Sequence, residues 1–306
     1  MKWAEIKSKL QSVEGLSLYL DIAQGALFRL SRTASHYYRQ EDEPKSDGSV
    51  RTYLIPSREL KRVQSLIHKK VLLFVPLHKS IHGYRRKRSQ VSAALPHVDK
   101  PMLLTADIKN YFPNIRPPMV YNAFRQLGIS DPVSRLLVTL CTHDNQLPQG
   151  APTSPYISNL IWSRPARRIQ GFTDQQHFDP TILGDDVFVS GAPRVRKFKN
   201  LVKRIIQEEG FSVNERKTQA LPSTARQVAA GLVVNKKLNV KKEYRRALRT
   251  VLHSCTSTKC TDVVNSETGV KKASLAGKIA FVKHINPTQG QRFQREFERI
   301  NSKRTF

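Results

Sequence analysis

The chain has 306 residues, 39% hydrophobic and 25% charged, an ordinary globular composition with length enough for a sizeable core. Lys and Arg number 52 against 24 Asp and Glu, giving a net charge of +28 spread along the whole sequence; this points to a polyanionic partner met by a folded surface rather than by one basic tail. No apolar run reaches the roughly 20 residues of a membrane span, no secretory pattern opens the chain, and Cys141, Cys255 and Cys260 are too few for a disulfide framework, so a cytoplasmic protein with no membrane partner is expected.

The segments before residue 39 mix charged and apolar residues and read as short helices. "RQEDEPKSDGSVR" (39–51), with Pro44 and Gly48, reads as a hairpin loop or linker. "SRELKRVQSLIHKKVLLF" opens on Ser57 as a helix cap, and Leu60, Val63, Ile67 and Val71 recur at helical spacing. "HGYRRKRS" (82–89) is a glycine turn followed by basic residues, and "PMLLTADIKNYF" (101–112) is an apolar strand running into Asp107. Residues 117–142 carry two helical patterns broken at "GISDP". "LPQGAPTSP" (147–155) is a loop that opens the next helix, which Pro165 should kink or end.

"TILGDDVFVSG" (181–191) reads as strand, turn, strand, and "RVRKFKNLVKRIIQEEG" as a basic amphipathic helix stopped by Gly210. "FSVNERKT" suggests a short strand and a basic turn, and "QVAAGLVVNKKLNV" a hairpin around Asn235, Lys236 and Lys237. From Lys241 the pattern is helical and basic, with a weakly patterned loop at 254–270. His253, Cys255 and Cys260 match no common zinc spacing and read as a histidine beside unbridged thiols. A mixed α/β body to about residue 236 is thus followed by a small helical domain.

Asp185 and Asp186 stand at the tip of an apolar hairpin, where like charges repel. Gly-Asp is also common turn chemistry, and for this tripeptide alone that reading stays open. Asp107, a third acid at a strand end, adds another possibility. Three carboxylates from neighbouring strands can hold two divalent cations ~3.5–4 Å apart for in-line phosphoryl displacement, and Mg²⁺ suits an all-oxygen site that also admits phosphates.

"ADIKNYFPNI", "LPQGAPTSPYISN", "LGDDVFVSG", "VNERKTQ" and "AAGLVVNKKLNVKKEYRRALR" follow the order and spacing of the palm motifs of reverse transcriptases. The chain most resembles the bacterial retron-type enzymes from about Ile55 to about Pro287, where "LAGKIAFVKHINP" resembles the family's thumb helix. The resemblance implies an α/β (α+β) right-hand polymerase: an N-terminal helical segment and linker (1–50), fingers and a palm with an antiparallel sheet (51–236), and a helical thumb (237–306). It implies two Mg²⁺ ions held by Asp107, Asp185, Asp186 and the carbonyl of Ile108. It places Phe112 where the family has the aromatic that blocks a ribose 2′-OH, and Gln149 and Gly150 under the incoming nucleotide. Arg85, Lys87 and Arg88 would meet the triphosphate, and Lys217 would protonate the leaving pyrophosphate. Gly231 would belong to the primer grip, and Lys241, Lys242, Arg245, Arg246 and Arg249 would track a duplex backbone.

The implied substrates are dNTPs. The implied partners are a structured non-coding RNA serving as template and primer, its DNA product, and a separate effector or toxin protein in phage defence. Some residues depart from the family. Leu183 and Gly184 replace the usual Tyr-Ala before the paired acids. The retron Asn-Ala-x-x-His element, tied to recognition of the partner RNA, appears as "AALPH", with Ala93 for Asn but Ala94 and His97 kept. Val-Thr-Gly appears as "AAG", with Ala230 for Thr. The alternatives are a non-retron defence or intron-like reverse transcriptase, an RNA polymerase suggested by "GDD", and a catalytically inactive RNA-binding protein of the same fold.

Overall fold

Short apolar spacings make the N-terminal region helical. α1 (Trp3–Lys9), α2 (Val13–Leu20) and α3 (Gln24–Arg32) turn Ile6, Leu16, Leu20, Leu27 and Leu30 inward. Ser12 caps α2, its hydroxyl accepting the Gly15 N–H at 3.0 Å. The computed structural model describes residues 2–32, 34–44, 48, 50–256 and 272–302.

The polar stretch from 39 holds more order than a linker. β1 (Tyr38–Pro44) pairs antiparallel with β2 (Val50–Pro56), Tyr38 lying opposite Pro56 and Pro44 opposite Val50. Beyond Tyr38 every residue of β1 is exposed, so the strand is held by backbone pairing and has no buried face to pattern its sequence. In α4 (Arg58–Leu66) and the turns after it, Leu60, Val63, Ile67 and Val71 are buried, as their spacing predicts. There follow α5 (Gln90–Ala94), β3 (Met102–Asp107), α6 (Tyr111–Asn114), α7 (Pro117–Gln126), α8 (Asp131–Cys141), α9 (Ser154–Asp174), β4 (Asp179–Leu183), β5 (Asp186–Gly191), α10 (Lys199–Glu208) and β6 (Gln219–Pro222). The chain continues through β7 (Val228–Ala229), β8 (Leu232–Val233), α11 (Lys242–Thr256), α12 (Lys272–Ile285) and α13 (Pro287–Ser302).

The central sheet is antiparallel in the order β4-β5-β3-β6. Apart from Thr105, β3 is buried along its length, which explains its near-continuous apolar run. One apolar core joins the N-terminal helices to the sheet and to α7–α10. A second joins Ala93, Ala94, Leu103 and Phe188 to β7, β8 and the C-terminal helices, through Leu248, Ile279 and Phe293.

Several expectations need correction. α9 runs through Pro165 to Asp174; the lost backbone bond is offset by burial of Pro165, Ala166 and Ile169. The basic helix starts as a 3₁₀ segment, Pro193–Phe198, before α10. "FSVNERKT" forms no strand, giving a single bridge from Val213 to Ile108, and the neighbouring strand is β6. The tight hairpin turn falls at Ala230 and Gly231, both at positive φ (50° and 80°), as a type I′ turn requires. A second loop over 235–237 is closed by the Val233–Asn239 bridge. Most of the loop read at 254–270, the Cys255 side chain and Cys260 lie outside the described residues. Among the described residues, no helix is long and apolar enough to cross a membrane.

Candidate active site

Asp107 ends β3 and Asp186 begins β5, and the two are direct partners across the sheet. The Ile108 N–H donates to the Asp185 carbonyl at 3.1 Å, one residue past each partner, which makes 107/186 a non-hydrogen-bonded pair. Such pairs bring Cα atoms to about 4.5 Å with both side chains on one face. Asp185 lies beside them in the two-residue turn between Leu183 and Asp186, where Gly184 has φ +64°. Glycine first in the turn is the pattern of a type II′ hairpin. Turn chemistry and clustered carboxylates are therefore the same feature.

Other elements lock this turn. The Trp162 indole N–H donates to the Gly184 carbonyl at 2.8 Å from α9. The Asn159 amide, also from α9, donates to the Gly83 carbonyl at 2.7 Å. The loop around Gly83 lies on the turn so closely that a Cβ on Gly83 would sit 2.7 Å from the Gly184 nitrogen. Ile182 and His82 add backbone bonds between β4 and the same loop, Ile182 N–H to Ser80 and His82 N–H to Ile182, each 2.8 Å.

Lys217 donates to Asp107 Oδ2 at 3.0 Å. Its loop is pinned to β3 by Asn214 N–H to the Asp107 carbonyl at 2.8 Å and by the Thr105 hydroxyl to the Lys217 carbonyl at 3.0 Å. The cluster is nevertheless overcharged. Burial first, then the charges of Asp185 and Asp107, push Asp186 up to about 7 against the pull of Lys217. Burial and Asp107 also raise Asp185, opposed by its own backbone hydrogen bond and by Lys217 and Arg51.

As the side chains lie, no three carboxylate, imidazole or thiol groups among the described residues converge on one cation position. The Lys217 ammonium occupies one Asp107 oxygen. The donor set still fits a hard divalent cation. It is all oxygen, its excess negative charge is what a cation relieves, and among the described residues no N–H donates to the Ile108 carbonyl.

Phe112 is half-buried, while its neighbour Tyr111 fills the core, giving its hydroxyl to the Ser158 carbonyl at 2.7 Å. Phe112 stands edge-on to Tyr84, the ring centroids 6.3 Å apart. Gln149 accepts the Leu54 N–H at 2.6 Å, and Gly150, at φ +116°, would put a Cβ 3.0 Å from the Leu54 carbonyl. These contacts dock the loop on β2.

The basic residues separate into groups. Arg85 commits Nη1 to the carbonyls of His78 and Ile81 at 3.0 and 3.3 Å, and Arg88 and Arg85 press on His82 rather than on the paired acids. Lys87 is exposed on the same loop at φ 60°. Arg51 on β2, which sequence reasoning missed, lies within electrostatic reach of Asp185 and Tyr84. Alternation in "RTYLIP" betrays the strand, but not that its tip faces residue 185. Gly231 is exposed at its hairpin tip. Lys241, Lys242, Arg246 and Arg249 are exposed and Arg245 is half-buried.

In the "AALPH" and "AAG" elements His97 and the alanines are buried, while Leu95 and Gly231 are exposed. His97 is fully buried, hydrogen-bonded through Nδ1 to Ser190 at 2.7 Å and Nε2 to Thr181 at 2.6 Å, and Ala93, Ala94, Ala229 and Ala230 share the second core. These buried side chains tie the framework behind the central hairpin together.

The family profile described as "Reverse transcriptase (RNA-dependent DNA polymerase)" matches residues 43–244, well over half of the chain. The chain is 29% identical over 306 residues to the retron Mx65 reverse transcriptase of Myxococcus xanthus, covering 92% of this chain and 70% of that one. It is 29% identical over 249 residues to the retron Ec86 reverse transcriptase of Escherichia coli, covering 80% and 78%. Among solved structures, apo telomerase from Candida tropicalis superposes with a TM-score of 0.52 at 10% identity, over 87% of this chain and 58% of that one. Telomerase from Candida albicans with a fragment of telomeric RNA gives 0.50 at 11%, over 84% and 56%. The chain thus spans little over half of those telomerase chains, and the likeness is one of fold: a right-hand polymerase.

Proposed function

The chain belongs to the reverse transcriptase (RNA-dependent DNA polymerase) family, and from that premise we propose that it copies a structured non-coding RNA, encoded near its own gene, into a small DNA or RNA–DNA hybrid. The observation that carries the reading is the register of Asp107 opposite Asp186 with Asp185 in the adjoining turn. Residues 51–236 would form fingers and palm and 237–306 the thumb. Its likeness to retron reverse transcriptases supports the RNA as both template and primer, and a role in phage defence beside an effector or toxin protein.

Asp107, Asp185, Asp186 and the Ile108 carbonyl would hold two Mg²⁺ ions. When bound, such ions lower the pKa of an attacking hydroxyl and neutralise charge on the departing pyrophosphate. The chain's own residues do the rest. Arg51, joined by Lys87 and Arg88, meets the triphosphate. Gln149 and Gly150 floor the nucleotide site, and Phe112 crowds a ribose 2′-OH, selecting dNTPs. Lys217 holds its proton more tightly than usual because of its hydrogen bond to Asp107, and delivers it to the leaving pyrophosphate.

The test uses protein co-expressed with the region flanking its gene. Bound nucleic acid is extracted and digested with RNase or DNase, comparing wild type with Asp185→Asn/Asp186→Asn. A discrete DNase-sensitive species found in wild type alone supports reverse transcription, and an RNase-resistant branch joining it to RNA supports the retron mode. RNA alone, equal in both proteins, replaces the proposal with RNA binding by an inactive member of the fold.

A further inference from the structure

Tyr84 is an aromatic residue of the basic loop that the proposed chemistry does not use, and its placement is costly. It is a bulky aromatic at φ 51°, in the left-handed region, and it stays half exposed. Its neighbours hold it there. Gly83 is fixed by Asn159 and lies against the backbone of Gly184, and Arg85 returns to the carbonyls of His78 and Ile81.

The ring reaches two places at once. One edge meets Phe112 at 6.3 Å between centroids and an interplanar angle of 64°. The phenol end lies over Gly184, where a Cβ would sit 3.3 Å from the Tyr84 hydroxyl and 3.7 Å from Cε2. A side chain at 184 would crowd the phenol end by a few tenths of an ångström, and 184 is where the family's usual alanine is missing. The loop and the catalytic turn are therefore fitted to one another through this tyrosine.

We propose that Tyr84 is the positioning residue of the sugar gate: wedged between Gly184 and Phe112, it holds the Phe112 ring across the place of a ribose 2′-OH. The inference rests on the reverse transcriptase reading and on Phe112 as the gate. The aromatic edge contact acts in this, and the hydroxyl is dispensable.

The experiment measures kcat/KM for dNTP and for the matching rNTP on a primed RNA template, with wild type, Tyr84→Ala, Tyr84→Phe, Phe112→Ala and Tyr84→Ala/Phe112→Ala. The dNTP/rNTP ratio is internal to each preparation, so a partly unfolded variant scales both values and leaves the ratio intact. Tyr84→Ala is expected to lower the ratio about tenfold, Tyr84→Phe to keep it, and Phe112→Ala to lower it further. The double variant is expected to match Phe112→Ala, since a support has no effect once the supported ring is gone. An unchanged ratio in Tyr84→Ala, or additive losses in the double variant, overturns the inference while leaving the polymerase standing. A wild type that extends no primer sinks both.

Discussion

At the scale of single residues, the acid cluster is a store of repulsion. An Asp whose pKa rises on folding from the ordinary 3.8 to about 7 binds a proton more tightly folded than unfolded. Asp186 therefore destabilises the metal-free fold progressively as pH rises from about 4 to about 7, and the cost persists above that. Each pH unit is worth about 1.4 kcal/mol at most, and the partial exposure of Asp186 reduces it. Asp186→Asn should stabilise the metal-free protein by about 1–3 kcal/mol at pH 8 and by nothing near pH 4, as denaturant melts at both values would read. A gain that does not change with pH would remove repulsion as its cause. Arg51 tests the other sign of charge. Truncation to Ala should raise KM for dNTP roughly 10-fold with a smaller change in kcat, because one charge-assisted phosphate contact contributes about 1.5–3 kcal/mol; an equal loss in kcat instead would place Arg51 on the transition state. The convergence of the acids was legible in the sequence because each sits at the end of an apolar strand pattern, whereas Phe112 was singled out by the resemblance alone. Arg51 and Tyr84 were not legible, because the first acts electrostatically on Asp185 and the second lies against Gly184, each at least a hundred positions away by the numbering.

Among the elements, α5 and the central hairpin are joined by histidine. His97 bridges β5 through Ser190 and β4 through Thr181, and the Thr181 hydroxyl donates to the Ala93 carbonyl at 2.9 Å. His82 bonds Ser92 at 2.8 Å. Burial above all holds both rings neutral, lowering His97 to about 3, with His82 and Lys100 adding, and His82 to about 4, with Arg88 and Arg85 adding. Unfolded, each would titrate near the ordinary 6.5. Their contribution is thus complete above pH 6.5 and drains away as pH falls through about 4 and then about 3, by about 1.4 kcal/mol per pH unit for each ring inside its window. His97→Gln should cost about 1–2 kcal/mol at pH 7 and flatten stability against pH between 6 and 4; parallel curves for the two proteins would exclude His97 as the source. From sequence, His97 reads as part of a recognition element, since nothing local says that a histidine beside Leu95 and Pro96 is fully enclosed. Elements with a buried stripe, such as α4 and β3, were readable. Those held by backbone pairing alone, β1 above all, were not, and α9 outlasted its proline because long-range packing overrides local preference.

Across the whole molecule, the charge of +28 is unevenly answered. Glu243, the one acid in α11, is clamped by both of its oxygens to Arg226, at 2.9 and 2.8 Å. Lys242, Arg246 and Arg249 then recur three and four residues apart along one face of the helix and are exposed. Such a stripe suits the phosphates of a duplex leaving the palm. Each phosphate neutralised releases counterions and adds about 0.9 to the slope of log affinity against log salt on DNA. Lys242→Ala/Arg246→Ala/Arg249→Ala should therefore lower that slope by about 2–3 for a primer–template duplex. The loss should be large at 50 mM salt and small at 200 mM, read by fluorescence anisotropy with Asp185→Asn as a control whose slope stays unchanged. An unaltered slope in the triple variant would mean that the duplex leaves by another surface, and that this stripe is a solvated helix face in a protein basic nearly everywhere.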